Sequence, residues 1–138
     1  EIGSGLVGSE MCIRDRLNRG DIIYVDLGQH IHSCVQSGVR PCVVIGTYPS
    51  SPVANVCPMT SRMDKKGKPV HVKVNKENVC GYIEKPSLIL IEQTVSIDRR
   101  KIISKIGHIP EDSEVMELVD EAIVRQMLSE RYKNKCRK

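Results

Sequence analysis

Apolar positions along the chain fall first into short β-branched runs and then, after Pro110, into a helical stripe. Asp21 to Leu27 (DIIYVDL) reads as a strand, opened by Arg19-Gly20 and closed by Gly28. Pro41 to Gly46 (PCVVIG) predicts a second strand. Val53 to Thr60 (VANVCPMT) predicts a third, whose Pro58 implies an edge position or a bulge, because proline cannot donate to a ladder. Val70 to Val74 (VHVKV) alternates apolar and polar residues, as a half-solvated strand does. Leu88 to Ile97 (LILIEQTVSI) is the longest apolar run and predicts one buried central strand; Ile102 to Ile109 predicts a last short one. Between these lie a long polar stretch from Gln29 to Gly38, a Pro/Ser turn from Tyr48 to Pro52 and a basic turn from Met63 to Pro69.

The period then changes. Val115, Leu118, Val119, Ala122, Ile123 and Met127 recur at the three- and four-residue spacing of one helix face. Glu111, Asp112 and Glu114 stand near the start of that helix, where negative charge suits its dipole. Arg131 to Lys138 reads as a frayed basic tail. Strands joined by short turns and followed by one helix predict a mainly β protein, a small β-barrel or curled sheet capped by a C-terminal amphipathic helix.

Composition sharpens this picture. Phe and Trp are absent and Tyr occurs four times, so the core is aliphatic; 16 Val and 15 Ile against 7 Leu favour sheet and exclude an all-helical bundle. A length of 138 residues suits one domain, and no apolar run reaches the roughly 18–20 residues of a membrane-spanning helix. The net charge of +4 is a mild bias toward polyanions. Of the six cysteines no two are close enough for paired zinc ligands, and most sit in or beside apolar runs, which reads as buried free thiols in a reducing cytoplasm. Residues 1–16 differ from the rest: VGSEMCIRDR resembles translated sequencing-adapter read-through, so we expect a non-native or disordered extension there and a single domain over 17–138.

Candidate chemistry is sparse. There is no phosphate-cradling Gly-rich loop, no nucleophile elbow, no H-E-x-x-H and no carboxylate cluster suited to a divalent ion, so no metal or cofactor is expected. Gly38-Val39-Arg40-Pro41 places an arginine at a strand start, where its planar fork of donors suits a phosphate; spacing alone favours a plain surface arginine. Thr60-Ser61-Arg62 offers two hydroxyls and a second guanidinium at a strand exit, and joins Arg40 only if the two strands are neighbours. Lys65, Lys66 and Lys68 are either phosphate contacts or a solvated turn. His30 and His32 precede Arg40 in the polar loop and are the weak acid–base candidates, against a reading as solvated loop residues. His71 and His108, within strands, read as structural; Glu92 and Gln93 as serving folding or dimer packing.

An ordered set of these segments resembles the MazF/PemK family of toxin mRNA interferases: Arg19-Gly20-Asp21-Ile22 to Asp26-Leu27, Gln36-Ser37-Gly38-Val39-Arg40-Pro41, Pro58-Met59-Thr60-Ser61-Arg62, Pro69-Val70-His71-Val72, Leu90-Ile91-Glu92-Gln93, Ile97-Asp98, and Lys105 to Ile109. The likeness runs from about Leu17 to Leu128. It implies a Kid/CcdB-type small Src-homology-3-like barrel that forms a homodimer. The implied activity is a sequence-specific, metal-independent endoribonuclease that cuts single-stranded RNA and inhibits growth. The RNA 2′-hydroxyl attacks the adjacent phosphorus, leaving 2′,3′-cyclic phosphate and 5′-hydroxyl ends. Arg40 and Thr60 match the family's catalytic arginine and threonine; Gln36, Ser61 and Arg62 are expected to contact RNA, with the three lysines adding backbone contacts. The implied partner is a cognate antitoxin, with operator DNA bound only through that complex.

The chain departs from the family where Cys34-Val35-Gln36 replaces a common Ser-Glu-Gln, removing a loop carboxylate, and where Thr47-Tyr48 replaces an Asn-Asp pair. Kid's histidine at the position of Cys34 is also missing. The rival readings are a non-catalytic nucleic-acid-binding barrel and a same-fold toxin that binds a protein such as gyrase. The second uses a tryptophan-containing tail in CcdB, and this chain has no Trp.

Overall fold

The computed structural model describes residues 17–29, 37–62 and 70–128. Eight strands form one antiparallel sheet: β1 (Asp21–Asp26), β2 (Val39–Thr47), β3 (Val53–Thr60), β4 (His71–Val74), β5 (Cys80–Gly81), β6 (Ser87–Leu90), β7 (Val95–Asp98) and β8 (Ile102–His108). Helix α1 (Glu114–Met127) follows. The order across the sheet is β4-β6-β3-β2-β1-β8-β5, with β7 also paired to β3, and among the described residues the ends do not meet to close a barrel. The expected mainly β fold with a terminal helix is present, with the sheet open among the described residues.

The middle strands are buried on both faces, which is why β2 and β3 read as near-continuous apolar runs. Ile23, Val25, Cys42, Val44, Ala54 and Val56 pack with Leu17, Ile97 and Ile102 on one side. Ile22, Val43, Cys57, Met59, Val72, Ile89 and Ile109 pack on the other, under Val115, Met116, Val119 and Ala122 of α1. Ser113 starts that helix by accepting a hydrogen bond from the Met116 amide at 3.3 Å. Its buried face is rotated from the predicted stripe: Met116 takes a core position, while Leu118 and Met127 are exposed.

Two strand expectations need correction. Pro58 lies in β3, which is neither an edge strand nor bulged at that point. β3 pairs with β7 over Val53–Val56 and with β6 at Met59 and Thr60, so the proline falls in the gap where β3 changes partner. The irregularity is in β2, between Val44 and Gly46. Nor is 88–97 a single strand: β6 and β7 are separated by a 3-10 turn, Ile91–Gln93. Thr94 closes that turn by donating its hydroxyl to the Ile91 carbonyl at 2.6 Å. A second 3-10 turn, Arg99–Lys101, is capped by Asp98, which accepts from the Arg100 amide at 2.8 Å. The Arg100 guanidinium beside it holds the Asp98 carboxyl down to about 2, so this cap stays ionised at any ordinary working pH.

Buried thiols follow the same packing. Burial pushes Cys42 up to about 12 and Cys57 up to about 11, while Cys80 is exposed. Thiolate is the reactive form. Peptide mapping after brief iodoacetamide treatment of the native protein should therefore find Cys80 alkylated and Cys42 and Cys57 unmodified, with both reacting once guanidinium unfolds the chain. Labelling of Cys57 at the rate of Cys80 would contradict this packing. Residues 1–16, expected as an extension, lie outside the described residues.

Candidate active site

β1 and β2 carry the first candidate to its place. Their register pairs Val25 with Arg40, and the loop joining them is pinched at its base by two backbone bonds, Gly38 N–H to Gly28 O at 2.7 Å and Leu27 N–H to Gly38 O at 2.9 Å. Arg40 donates Nε to the Ser37 carbonyl at 3.1 Å, which steadies the side chain without neutralising it. Among the described residues no carboxylate pairs with it. A guanidinium held at one N–H and uncompensated by an anion is ready to receive one.

β2 and β3 bring the second. Cys42 stands opposite Pro58, and continuing that register by two residues sets Arg40 across from Thr60. Thr60 is nearly covered, paired with Leu88 of β6, and its hydroxyl accepts from the Arg62 amide at 3.2 Å. That bond leaves the hydroxyl's own proton available to a ligand. The adjacency that spacing could not establish is supplied by the sheet.

Arg40, Thr60 and Ser61 line one open groove of about 300 Å³. The connection from β5 to β6 lines it too, with Tyr82, Ile83, Glu84 and Lys85; Tyr24 of β1, Pro41 of β2, Met59 of β3, Ser87 of β6 and Ile106 of β8 complete the lining. Arg62 lies next to the groove in sequence but is not part of its wall. Gln36, Lys65, Lys66, Lys68, His30 and His32 lie outside the described residues. His71 and His108 are engaged elsewhere: His71 Nε2 meets Glu92 Oε2 at 2.7 Å, and His108 Nδ1 meets the fully buried Asp21 at 2.8 Å, where Lys105 also approaches to 3.2 Å. Among the described residues no group of three or more His, Cys, Asp or Glu side chains is gathered as a metal-binding set.

The β5–β6 wall was missed by sequence reasoning. β5 has only two residues, too few to show a period, and its Gly81 was the one available signal. Gly81 has φ 129°, and a Cβ there would come 2.5 Å from the Ile106 carbonyl oxygen. Only glycine lets this strand press against β8. Two aromatic rings, Tyr24 and Tyr82, are part of the groove lining. Tyr48 is exposed and not part of the lining.

Comparison with known proteins places this geometry in context. Residues 18–127 match the family described as PemK-like, MazF-like toxin of type II toxin-antitoxin system. The chain is 37% identical over 110 residues to endoribonuclease EndoA of Bacillus subtilis (strain 168), covering 78% of this chain and 90% of that relative. Its fold is similar to Mycobacterium tuberculosis toxin MazF-mt6, with a TM-score of 0.60 and 18% identity over 77% of this chain and 94% of that one. It is equally similar to MazE-MazF from Deinococcus radiodurans, with a TM-score of 0.61 and 21% identity over 82% of this chain and 97% of that one.

Proposed function

The chain belongs to the PemK-like, MazF-like toxin family of type II toxin–antitoxin systems, and from that premise we propose that it is an endoribonuclease cutting single-stranded RNA in the groove between Arg40 and Thr60. The observation that carries this reading is that the Arg40 guanidinium, which pairs with no carboxylate among the described residues, and the Thr60 hydroxyl line one groove at the ends of neighbouring strands. Attack of a 2′-hydroxyl on the adjacent phosphorus gathers negative charge on the non-bridging oxygens. Arg40 is charged at every working pH and meets that charge with donors already in place. Thr60 donates its hydroxyl to the same phosphate or steadies the departing oxygen.

Cleavage is sequence-specific and metal-independent, and its products carry 2′,3′-cyclic phosphate and 5′-hydroxyl ends. DNA, lacking the 2′-hydroxyl, binds without being cut. Ser61 and Arg62 beside the groove and Gln36, Lys65, Lys66 and Lys68 contact the RNA. The enzyme works in the cytoplasm as a homodimer, restrained by a cognate antitoxin. No helix among the described residues is long and apolar enough to cross a membrane.

Incubating a defined single-stranded RNA with the protein in EDTA and mapping the ends by mass spectrometry tests the reading. The expected outcome is cutting at a short recurrent motif with cyclic phosphate on the upstream fragment. Intact RNA that is nevertheless bound would favour the non-catalytic barrel, and 3′-hydroxyl ends would point to a different chemistry.

A further inference from the structure

The groove that Arg40 and Thr60 line also carries a carboxylate with no role in the reaction described so far. Attack by a 2′-hydroxyl requires that its proton go somewhere. A guanidinium has only donors, and a threonine hydroxyl is a poor base at neutral pH. The remaining titratable side chains of the described lining are Tyr24, Tyr82, Lys85 and Glu84. Ammonium and phenol arrive with their protons on; a carboxylate side chain is the acceptor type among them.

We propose that Glu84 is the general base of RNA cleavage, accepting the proton of the attacking 2′-hydroxyl; the assignment rests on the endoribonuclease reading above. The segment that presents it is fastened at both ends. Upstream, Cys80 and Gly81 pair with β8, the Tyr82 amide donates to the Ile106 carbonyl at 3.1 Å, and Ile83 is buried in the core beneath the helix. Downstream, the Ser87 hydroxyl donates to the Lys85 carbonyl at 3.0 Å, and Ser87 itself enters β6. A base must be held within reach of its proton, and a short segment tied on either side provides that positioning.

The groups around Glu84 divide by charge. β2 contributes Arg40, the connection itself contributes Lys85 and Tyr82, and β1 contributes Tyr24; Thr60 and Ser61 of the β3 end and Ile106 of β8 do not titrate near neutral pH. Two cations in one lining draw the scissile phosphate into the groove. In the step, the 2′-oxygen–phosphorus bond forms as its proton passes to the Glu84 carboxylate. The phosphorus–5′-oxygen bond then breaks, and the departing oxygen takes a proton from water in the open groove. The hydroxide left behind recovers the proton from Glu84, so the enzyme returns to its starting state with no net proton change.

Single-turnover cleavage by Glu84→Gln and Glu84→Asp across a pH series tests this. The wild-type rate should fall toward acid pH as the base is protonated. Glu84→Gln should cleave about 10²–10⁴-fold more slowly and lose that acid limb, while binding a 2′-deoxy analogue of the substrate as the wild type does. Glu84→Asp should keep the limb at a reduced rate. A substrate whose 5′-oxygen is replaced by sulfur, which departs without a proton, should not rescue Glu84→Gln. Rescue by that substrate would make Glu84 an acid and overturn the assignment. So would wild-type-like cleavage by Glu84→Gln together with loss of cleavage in Arg40→Ala, a pair of results that leaves the endoribonuclease reading standing. Absence of cleavage by the wild type would overturn both.

Discussion

Replacing Arg40 with alanine should slow RNA cleavage by about 10²–10³, the typical cost of removing one preorganised donor to a developing oxyanion. The loss is expected in the chemical step. In the ground state the phosphate charge is already shared among many contacts along the strand, whereas the phosphorane concentrates it beside this guanidinium. Single-turnover rates should therefore fall while affinity for a 2′-deoxy analogue changes little. Arg40→Lys should recover only part of the rate, because an ammonium keeps the charge but not the planar fork, and nothing else in the lining duplicates the Nε bond to Ser37. Thermal unfolding should be unaffected, since Arg40 is exposed and makes no ion pair among the described residues. A variant that cuts as fast as the wild type would remove Arg40 from the reaction. One that binds the analogue no better than an unrelated RNA would make it a binding residue.

Met116→Ala should destabilise the fold by about 2–5 kcal/mol, the usual range for truncating a buried Met, Leu or Ile. Met116 is fully buried where α1 lies on the sheet, among Val115, Val119 and Ala122 and the strand residues Ile22, Val43 and Met59. Its truncation opens a cavity in that cluster, and the surrounding strands, tied by their ladders, cannot collapse into the space. Domains of this size hold only about 5–15 kcal/mol in total, so the urea midpoint should drop sharply with little change in slope. Leu118→Ala is the control. It lies on the same helix but is 43% exposed, and its cost should stay well below that of Met116. Equal losses at the two positions would contradict the observed docking face. The comparison also separates the observed helix rotation from the face predicted by spacing, which included Leu118 and left out Met116.

The two ends of the chain were legible to different degrees. Strands β1, β2, β3 and β8 and the helix were readable because each carries its own local pattern: β-branched runs of suitable length, then a change to helical spacing behind a proline. Arg40 and Thr60 were readable as types with suitable chemistry, and the ordered match of motifs gave them roles. Their meeting was not readable, because it depends on a register between strands that neither segment contains. The same limit explains the misread 88–97 run. Ile91 is apolar and buried whether it continues a strand or sits in a 3-10 turn, and the turn is set by Thr94 reaching back to the Ile91 carbonyl.

Sequence alone determined the class of this protein: an aliphatic, β-rich domain with a terminal helix and an arginine and a threonine placed at strand ends. Those properties follow from side-chain shape and spacing, which act over a few residues. Tertiary structure decided where β3 changes partners around Pro58, which face of α1 is buried, and that a two-residue strand would carry Tyr82, Glu84 and Lys85 into the groove that Arg40 lines. These depend on pairings between segments tens of residues apart, chosen by how the whole core closes, and no local pattern encodes them.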